Sequence, residues 1–153
     1  MSKLIFIVGL PGSGKTKYVE EINSDNEFEV LDDFKGNAIL NKSDFTFSSR
    51  YCDLINYLKF NKNCIVTDID FCKIISREEA EIVINGWELG VEIEWVFFEN
   101  NPEQCTNNVK ERAIRSGKNE DDALLNIKKY MSEYNIPIGI KTLDVWKPEK
   151  KND

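Results

Sequence analysis

The sequence predicts a three-layer α/β/α fold around a parallel sheet of about five strands, with a short helical lid. Three observations carry this. Short apolar runs alternate with amphipathic helical stretches along the chain. The first run, Lys3 to Val8, leads directly into a glycine-rich loop and then a helix. The second and third runs end in aspartates, where ligand crevices open in parallel sheets.

Each element follows from its residues. Lys3 to Val8 is continuously apolar and β-branched, as a strand buried on both faces would be. Lys15 to Ile22 reads as the first helix, and Phe28 to Leu31 as a second strand ending at Asp32-Asp33. Phe34 to Ser48 has no sustained period and reads as an irregular connection, with a helix over Ser49 to Phe60. A third strand runs from Asn63 to Asp68. Ser76-Arg77-Glu78-Glu79 has capping-box spacing and predicts a helix start, with Ala80, Val83, Ile84 and Trp87 on its buried face. Val91 to Phe98 is a fourth strand. Asn101-Pro102 predicts an N-cap with proline at the first helical position, for a helix reaching about Ile114. Ser116 to Asn119 breaks it, and Asn119 is the expected cap of a last helix with Leu124, Ile127, Met131 and Tyr134 on one face. Ile138 to Val145 is the candidate fifth strand.

Gly9-Leu10-Pro11-Gly12-Ser13-Gly14-Lys15-Thr16 fits G-x-x-x-x-G-K-[ST] in the strand–loop–helix context that the motif requires. Glycines let successive N–H groups approach phosphate oxygens, and the helix N-terminus adds free donors and positive dipole. Lys15 supplies a charge for the β- and γ-phosphates, and Thr16 a hydroxyl for Mg²⁺, whose other ligands are phosphates and water. Gly9, Pro11, Gly12, Ser13, Gly14, Lys15 and Thr16 are therefore the expected nucleotide-binding residues of a P-loop NTPase fold. The spacing is not the G-x-G-x-x-G of dinucleotide folds, which disfavours NAD.

At 153 residues, 41% hydrophobic and 31% charged, the chain has the composition of a soluble globular protein. One domain is expected over 1–146, with a polar tail at 147–153; the run from Trp146 onward reads as frayed. The N-terminal apolar run spans about six residues, too short for a signal-peptide core or a membrane span, so a cytoplasmic protein without membrane contact is expected. The four cysteines form no C-x-x-C pair and histidine is absent, which leaves little support for structural zinc or histidine catalysis. A net charge of −7 argues against non-specific coating of nucleic acid.

Asp68 fits a Walker-B-like aspartate for Mg²⁺ and substrate, and the following Ile69 replaces the glutamate with which motor ATPases orient water. A kinase is thus favoured over a hydrolytic machine. Asp32 is expected to be the acceptor's general base, with Asp33 capping the next turn beside the substrate. Arg112 and Arg115, three apart on one helical face, suggest a lid over the triphosphate. Arg50 is a further substrate-side candidate. Asn41-Lys42-Ser43-Asp44 matches a guanine-specificity element but precedes the third strand, the wrong place for one.

Together these residues resemble the small P-loop kinases related to the kinase domain of phage polynucleotide 5′-hydroxyl kinase, a group that overlaps the zeta-toxin type. The resemblance rests on Gly9 to Thr16, Asp32-Asp33-Phe34-Lys35, Asp68-Ile69-Asp70 and Ser76 to Arg112, and spans roughly residues 3–137. It implies phosphate and Mg²⁺ binding at Lys15 and Thr16, acceptor activation by Asp32, an acceptor contact at Lys35 and a lid arginine at Arg112. Lys35 replaces a more usual arginine, and Asn108 stands near where many members carry one. The implied activity is ATP·Mg²⁺-dependent transfer of the γ-phosphate to a hydroxyl, with a polynucleotide 5′-hydroxyl end as first-choice acceptor. A small metabolite or nucleoside acceptor, or a nucleotide-binding regulatory protein with weak transfer, remain open alternatives.

Overall fold

The computed structural model describes residues 2–34 and 44–148. Strands β1 (Lys3–Val8), β2 (Phe28–Leu31), β3 (Asn63–Thr67) and β4 (Glu92–Phe97) alternate with helices α1 (Lys15–Ile22), α2 (Asp44–Lys59) and α3 (Ile74–Gly86), followed by α4 (Pro102–Ser116) and α5 (Asp121–Tyr130). A 3₁₀ turn at Ile69–Cys72 lies between β3 and α3. The strands form one four-stranded sheet in the order β2-β3-β1-β4, parallel throughout.

Side-chain parity on β1 separates the two outer layers. Leu4, Phe6 and Val8 share one core with residues of α2, α3, α4 and α5, while Ile5 and Ile7 pack with Val19 of α1, Ile65 and Phe98. Both faces of β1 are thus covered, which is why its sequence is continuously apolar. From β1 the chain moves two positions to β2, and from β3 it moves two positions the other way to β4. Right-handed crossovers running in opposite directions put α1 and α3 on opposite faces. The crevice between β1 and β3 is therefore the place where a ligand is expected.

Register brings the strand ends level. Leu31 pairs with Val66, Thr67 with Ile7, and Val8 with Phe97. The loops after β1, β2 and β3 consequently emerge side by side, carrying the glycines, Asp32-Asp33 and Asp68.

Several local expectations are corrected. The second helix begins at Asp44, earlier than Ser49. The capping box at Ser76 does not form, because α3 starts at Ile74 and the Ser76 hydroxyl donates to Asp70 Oδ2 at 2.7 Å. On that helix Ala80 and Ile84 are buried, but Trp87 follows the last turn and is half exposed. Asn119 is not the N-cap of α5; Glu120 holds that position, and Asn119 Oδ1 accepts the N–H of Asp121 at 2.8 Å. The buried face of α5 is Ile127 and Tyr130, with Met131 exposed. The fifth strand reduces to a single parallel bridge between Phe98 and Leu143. Pro137 lacks an N–H, Gly139 turns at φ +83°, and Ile138 and Ile140 point to solvent, so no ladder can build before Leu143.

Cys64, Cys72 and Cys105 are buried, and burial pushes their thiols up to about 12, 12 and 11; Cys52 is exposed. Because thiolate is the reactive form, a disulfide reagent at pH 8 is expected to titrate one thiol per native chain rapidly and all four after denaturation. Two or more fast thiols in the native protein would contradict this core.

Candidate functional site

The loop between β1 and α1 is shaped by what its glycines permit. Gly12 and Gly14 adopt φ +83° and +106°, conformations unfavourable to residues with a Cβ. A Cβ on Gly12 would stand 2.5 Å from the Cys105 carbonyl oxygen, and one on Gly14 2.9 Å from Trp146 Cβ. Gly9 has Ser13 Oγ at 2.7 Å from its own would-be Cβ. That hydroxyl is fully buried without a hydrogen-bond partner. Gly14 caps α1 with no side chain over the helix end, and the first turn carries no acidic residue. The helix N-terminus is thereby open to an anion.

Lys15 donates from its ammonium to the Gly9 carbonyl. Burial pushes the ammonium below its ordinary range, opposed by Cys72, Asp68, Cys105 and Asp33. A partly buried cation that lines a cavity is a fit partner for an oligophosphate. Thr16 is exposed at the mouth of the loop.

A cavity of about 370 Å³ joins Gly12, Lys15 and Thr16 to Arg112, Arg115 and Trp146, with Pro11 and Asn108 also on its wall. The expected lid arginines thus do face the loop. Arg112 is already held: Nε donates to Glu120 Oε1 at 3.0 Å and Nη2 to Oε2 at 3.1 Å. Arg115 lies in the last turn of α4, ahead of Gly117 at φ +68°.

The carboxylates after β2 and β3 point differently. Asp32 continues the β2 register opposite Thr67, whose hydroxyl donates to Asp32 Oδ1 at 2.9 Å. By strand parity it projects to the α1 side, where it shares a cavity of about 410 Å³ with Thr16, Asn23 and Val30. Asp33 follows at φ +51° and its charge acts on Lys15. Asp68 is buried and caps the 3₁₀ turn, Oδ1 accepting the Asp70 N–H at 2.8 Å. Arg50 Nη2 donates to the Asp32 carbonyl at 3.0 Å, so it braces this turn. Lys35 lies outside the described residues.

Among the described residues no three His, Cys, Asp or Glu side chains gather in a metal cage. A Mg²⁺ site using Thr16 and Asp68 would take its remaining ligands from phosphates and water, the habit of that ion in triphosphate sites. No helix among the described residues is long and apolar enough to cross a membrane.

Sequence reasoning missed three contributors. Asn108 was read as one lid cation fewer, but its buried amide donates to Gly12 O and Trp146 O. Its spacing of four and seven from Arg112 and Arg115 puts it on their helical face and was the available signal. Trp146 does not fray: its N–H donates to Ser13 O at 2.9 Å and Lys17 Nζ lies 5.1 Å from its ring centroid. Tyr134, beyond the end of α5, donates to the carbonyls of Val8 and Phe98.

No family model matches the chain. It is 32% identical over 136 residues to the uncharacterized protein R277 of Acanthamoeba polyphaga mimivirus, covering 88% of this chain and 87% of that protein, and belongs to the same family. Among solved structures, a gluconokinase from Sinorhizobium meliloti 1021 superposes with a TM-score of 0.60 at 15% identity, covering 96% of this chain and 84% of that one. A chain of the Pnkp1/Rnl/Hen1 RNA repair complex gives 0.60 at 16% identity over 98% of this chain, which spans about half (52%) of that one. APE1195 gives 0.54 at 17% identity, covering 90% and 82%. The fold is that of the P-loop kinases.

Gly12→Ala is expected to lower stability by about 2 kcal/mol and to remove nucleotide binding, since both φ and the Cys105 carbonyl oppose a Cβ. Gly86, with open space around it and no positive φ, is the control: Gly86→Ala should stabilise by about 0.4–1 kcal/mol. Thermal denaturation with and without ATP measures both, and equal behaviour of the two variants would refute this account of the loop.

Proposed function

We propose that this protein is an ATP·Mg²⁺-dependent kinase that moves the γ-phosphate to an alcohol hydroxyl. The observation that carries the proposal is the cavity that joins the glycine loop and Lys15 to the α4 arginines, with Thr16 also on the wall of a second cavity that holds Asp32. Phosphoryl transfer needs little covalent chemistry from the protein; it needs charge neutralised and two oxygens held in line.

The roles follow from position. The loop N–H groups and the end of α1 would hold the phosphates, with Lys15 on the β- and γ-oxygens. Thr16, and Asp68 directly or through water, would hold Mg²⁺, which would neutralise charge on the phosphates. Arg112 would leave Glu120 for the transferring phosphate, with Arg115 beside it. For the base we retain Asp32, which shares a cavity with Thr16 of the phosphate loop and has only Oδ1 on the Thr67 hydroxyl; Asp33 follows it in the turn at φ +51°.

The first-choice acceptor is a polynucleotide 5′-hydroxyl end, supported by the sequence resemblance and by a structural neighbour drawn from an RNA repair complex. A small neutral hydroxyl compound is the second reading. Asp32, Asp33 and Asp68 at the ends of β2 and β3 would repel an anionic strand, and another neighbour is a gluconokinase.

Labelled ATP offered with 5′-hydroxyl oligonucleotides, nucleosides and sugars tests the reading. Label on oligonucleotide ends is expected; label on small molecules alone would reject the polynucleotide acceptor, and label on none would reject the kinase. Lys15→Ala should abolish transfer. Asp32→Asn should lower turnover ~10²–10⁴-fold with ATP affinity held, and Asp33→Asn much less; the reverse order would move the base to Asp33. Arg112→Ala should slow transfer more than it weakens ATP binding.

A further inference from the structure

We propose that Asn108, acting with the backbone of Trp146, is a positioning clamp that sets the phosphate loop for an oligophosphate; this rests on the nucleotide-binding reading above. The Asn108 amide has two N–H groups, and both are used. One goes to the Gly12 carbonyl at 2.8 Å and the other to the Trp146 carbonyl at 2.7 Å. Its own oxygen accepts Gln104 Nε2 at 2.9 Å, which fixes which way the amide faces. The side chain is 6% exposed, so these bonds form away from competing water.

The consequence lies in the loop's peptides. The carbonyl and N–H of one planar trans peptide point in opposite directions. The Gly12–Ser13 peptide is held at both ends, its carbonyl by Asn108 and its N–H by the Leu10 carbonyl at 3.1 Å. In the next peptide, the Ser13 carbonyl takes the Trp146 N–H at 2.9 Å, which commits the Gly14 N–H to the opposite side of the loop. Asn108 also holds Trp146, so one side chain fixes both peptides.

The demand is for two N–H donors and one acceptor on a short side chain, which an amide supplies. Aspartate has no N–H to give and would set oxygen against two carbonyls. Alanine would leave both carbonyls without the donors that Asn108 supplies. The residue that stands near where many of the resembled kinases carry an arginine thus orders the anion site from behind.

Calorimetric titration of the parent and Asn108→Ala with Mg·ATP and with inorganic tripolyphosphate tests the clamp. Both dissociation constants are expected to rise by the same factor, about tenfold, because the clamp acts on the phosphate-binding half that the two ligands share. Two constants within twofold of the parent, in a variant shown folded by its thermal melt, would overturn the proposal, since a merely structural role would move the melt alone. A loss for ATP without one for tripolyphosphate would overturn it too, by placing the effect at the nucleoside. A parent binding neither ligand would reject the nucleotide reading itself, and the clamp with it. Should Asn108→Ala not fold, Trp146→Pro withdraws the N–H from Ser13 and leaves Asn108 in place. Its tripolyphosphate affinity is expected to drop about fivefold, and an unchanged value would overturn the clamp.

Discussion

Everything at this site depends on where the carbonyls of a six-residue loop can go. An anion cradle needs N–H groups converging on one side, so the carbonyls must find donors on the other. Here the donors come from distant parts of the chain: the Lys15 ammonium for Gly9, Asn108 of α4 for Gly12 and the Trp146 backbone for Ser13. The glycines permit the conformation; these donors select it. A loop of the same sequence in an unfolded chain would have no reason to hold this shape. The site therefore exists only once α4 and the segment after α5 have docked.

Docking in turn depends on the sheet. β1 is buried on both faces and fixes the base of the loop, while Tyr134 ties the end of β1 to the segment after β4 by donating to Val8 and Phe98. Glu99 extends that anchor, accepting the Val145 N–H at 3.2 Å. Arg77, buried among the carbonyls of Phe71 and Cys72 and the side chain of Asn135, holds the turn that Asp68 caps against the same C-terminal segment. The nucleotide side and the carboxylate side are thereby referenced to one scaffold, which in-line transfer requires.

What was legible in the sequence was what is local. Strand, glycine loop and helix are contiguous; helical spacing alone put Arg112 and Arg115 on one face; the aspartates follow their strands directly. Errors arose where a side chain had a distant alternative. Ser76 has capping-box spacing but finds Asp70, so the helix starts without it. Leu143 is apolar enough for a strand, yet Pro137 and Gly139 leave it a single bridge. Helical spacing puts Asn108 beside Arg112 and Arg115 but does not reveal its role, because its partners are backbone carbonyls, which every residue possesses. Its bond to Gly12 spans 96 positions. Asp32 and Asp33 are equivalent by composition and are separated only by strand parity and by the turn at φ +51°.

The cations of the cleft differ in what a triphosphate would have to displace. Arg112 is paired bidentately with Glu120, but its side chain is 47% exposed, and pairs in that setting are worth at most about 1 kcal/mol. Exchange of Glu120 for a phosphate is therefore cheap, and it frees the carboxylate at the start of α5, where the helix dipole favours negative charge. Lys15 differs in being held by a neutral carbonyl, so an incoming phosphate displaces no salt-bridge partner from it. Affinity should then reside chiefly in the loop, and the arginine, being easily released, is left to respond to the charge that develops during transfer.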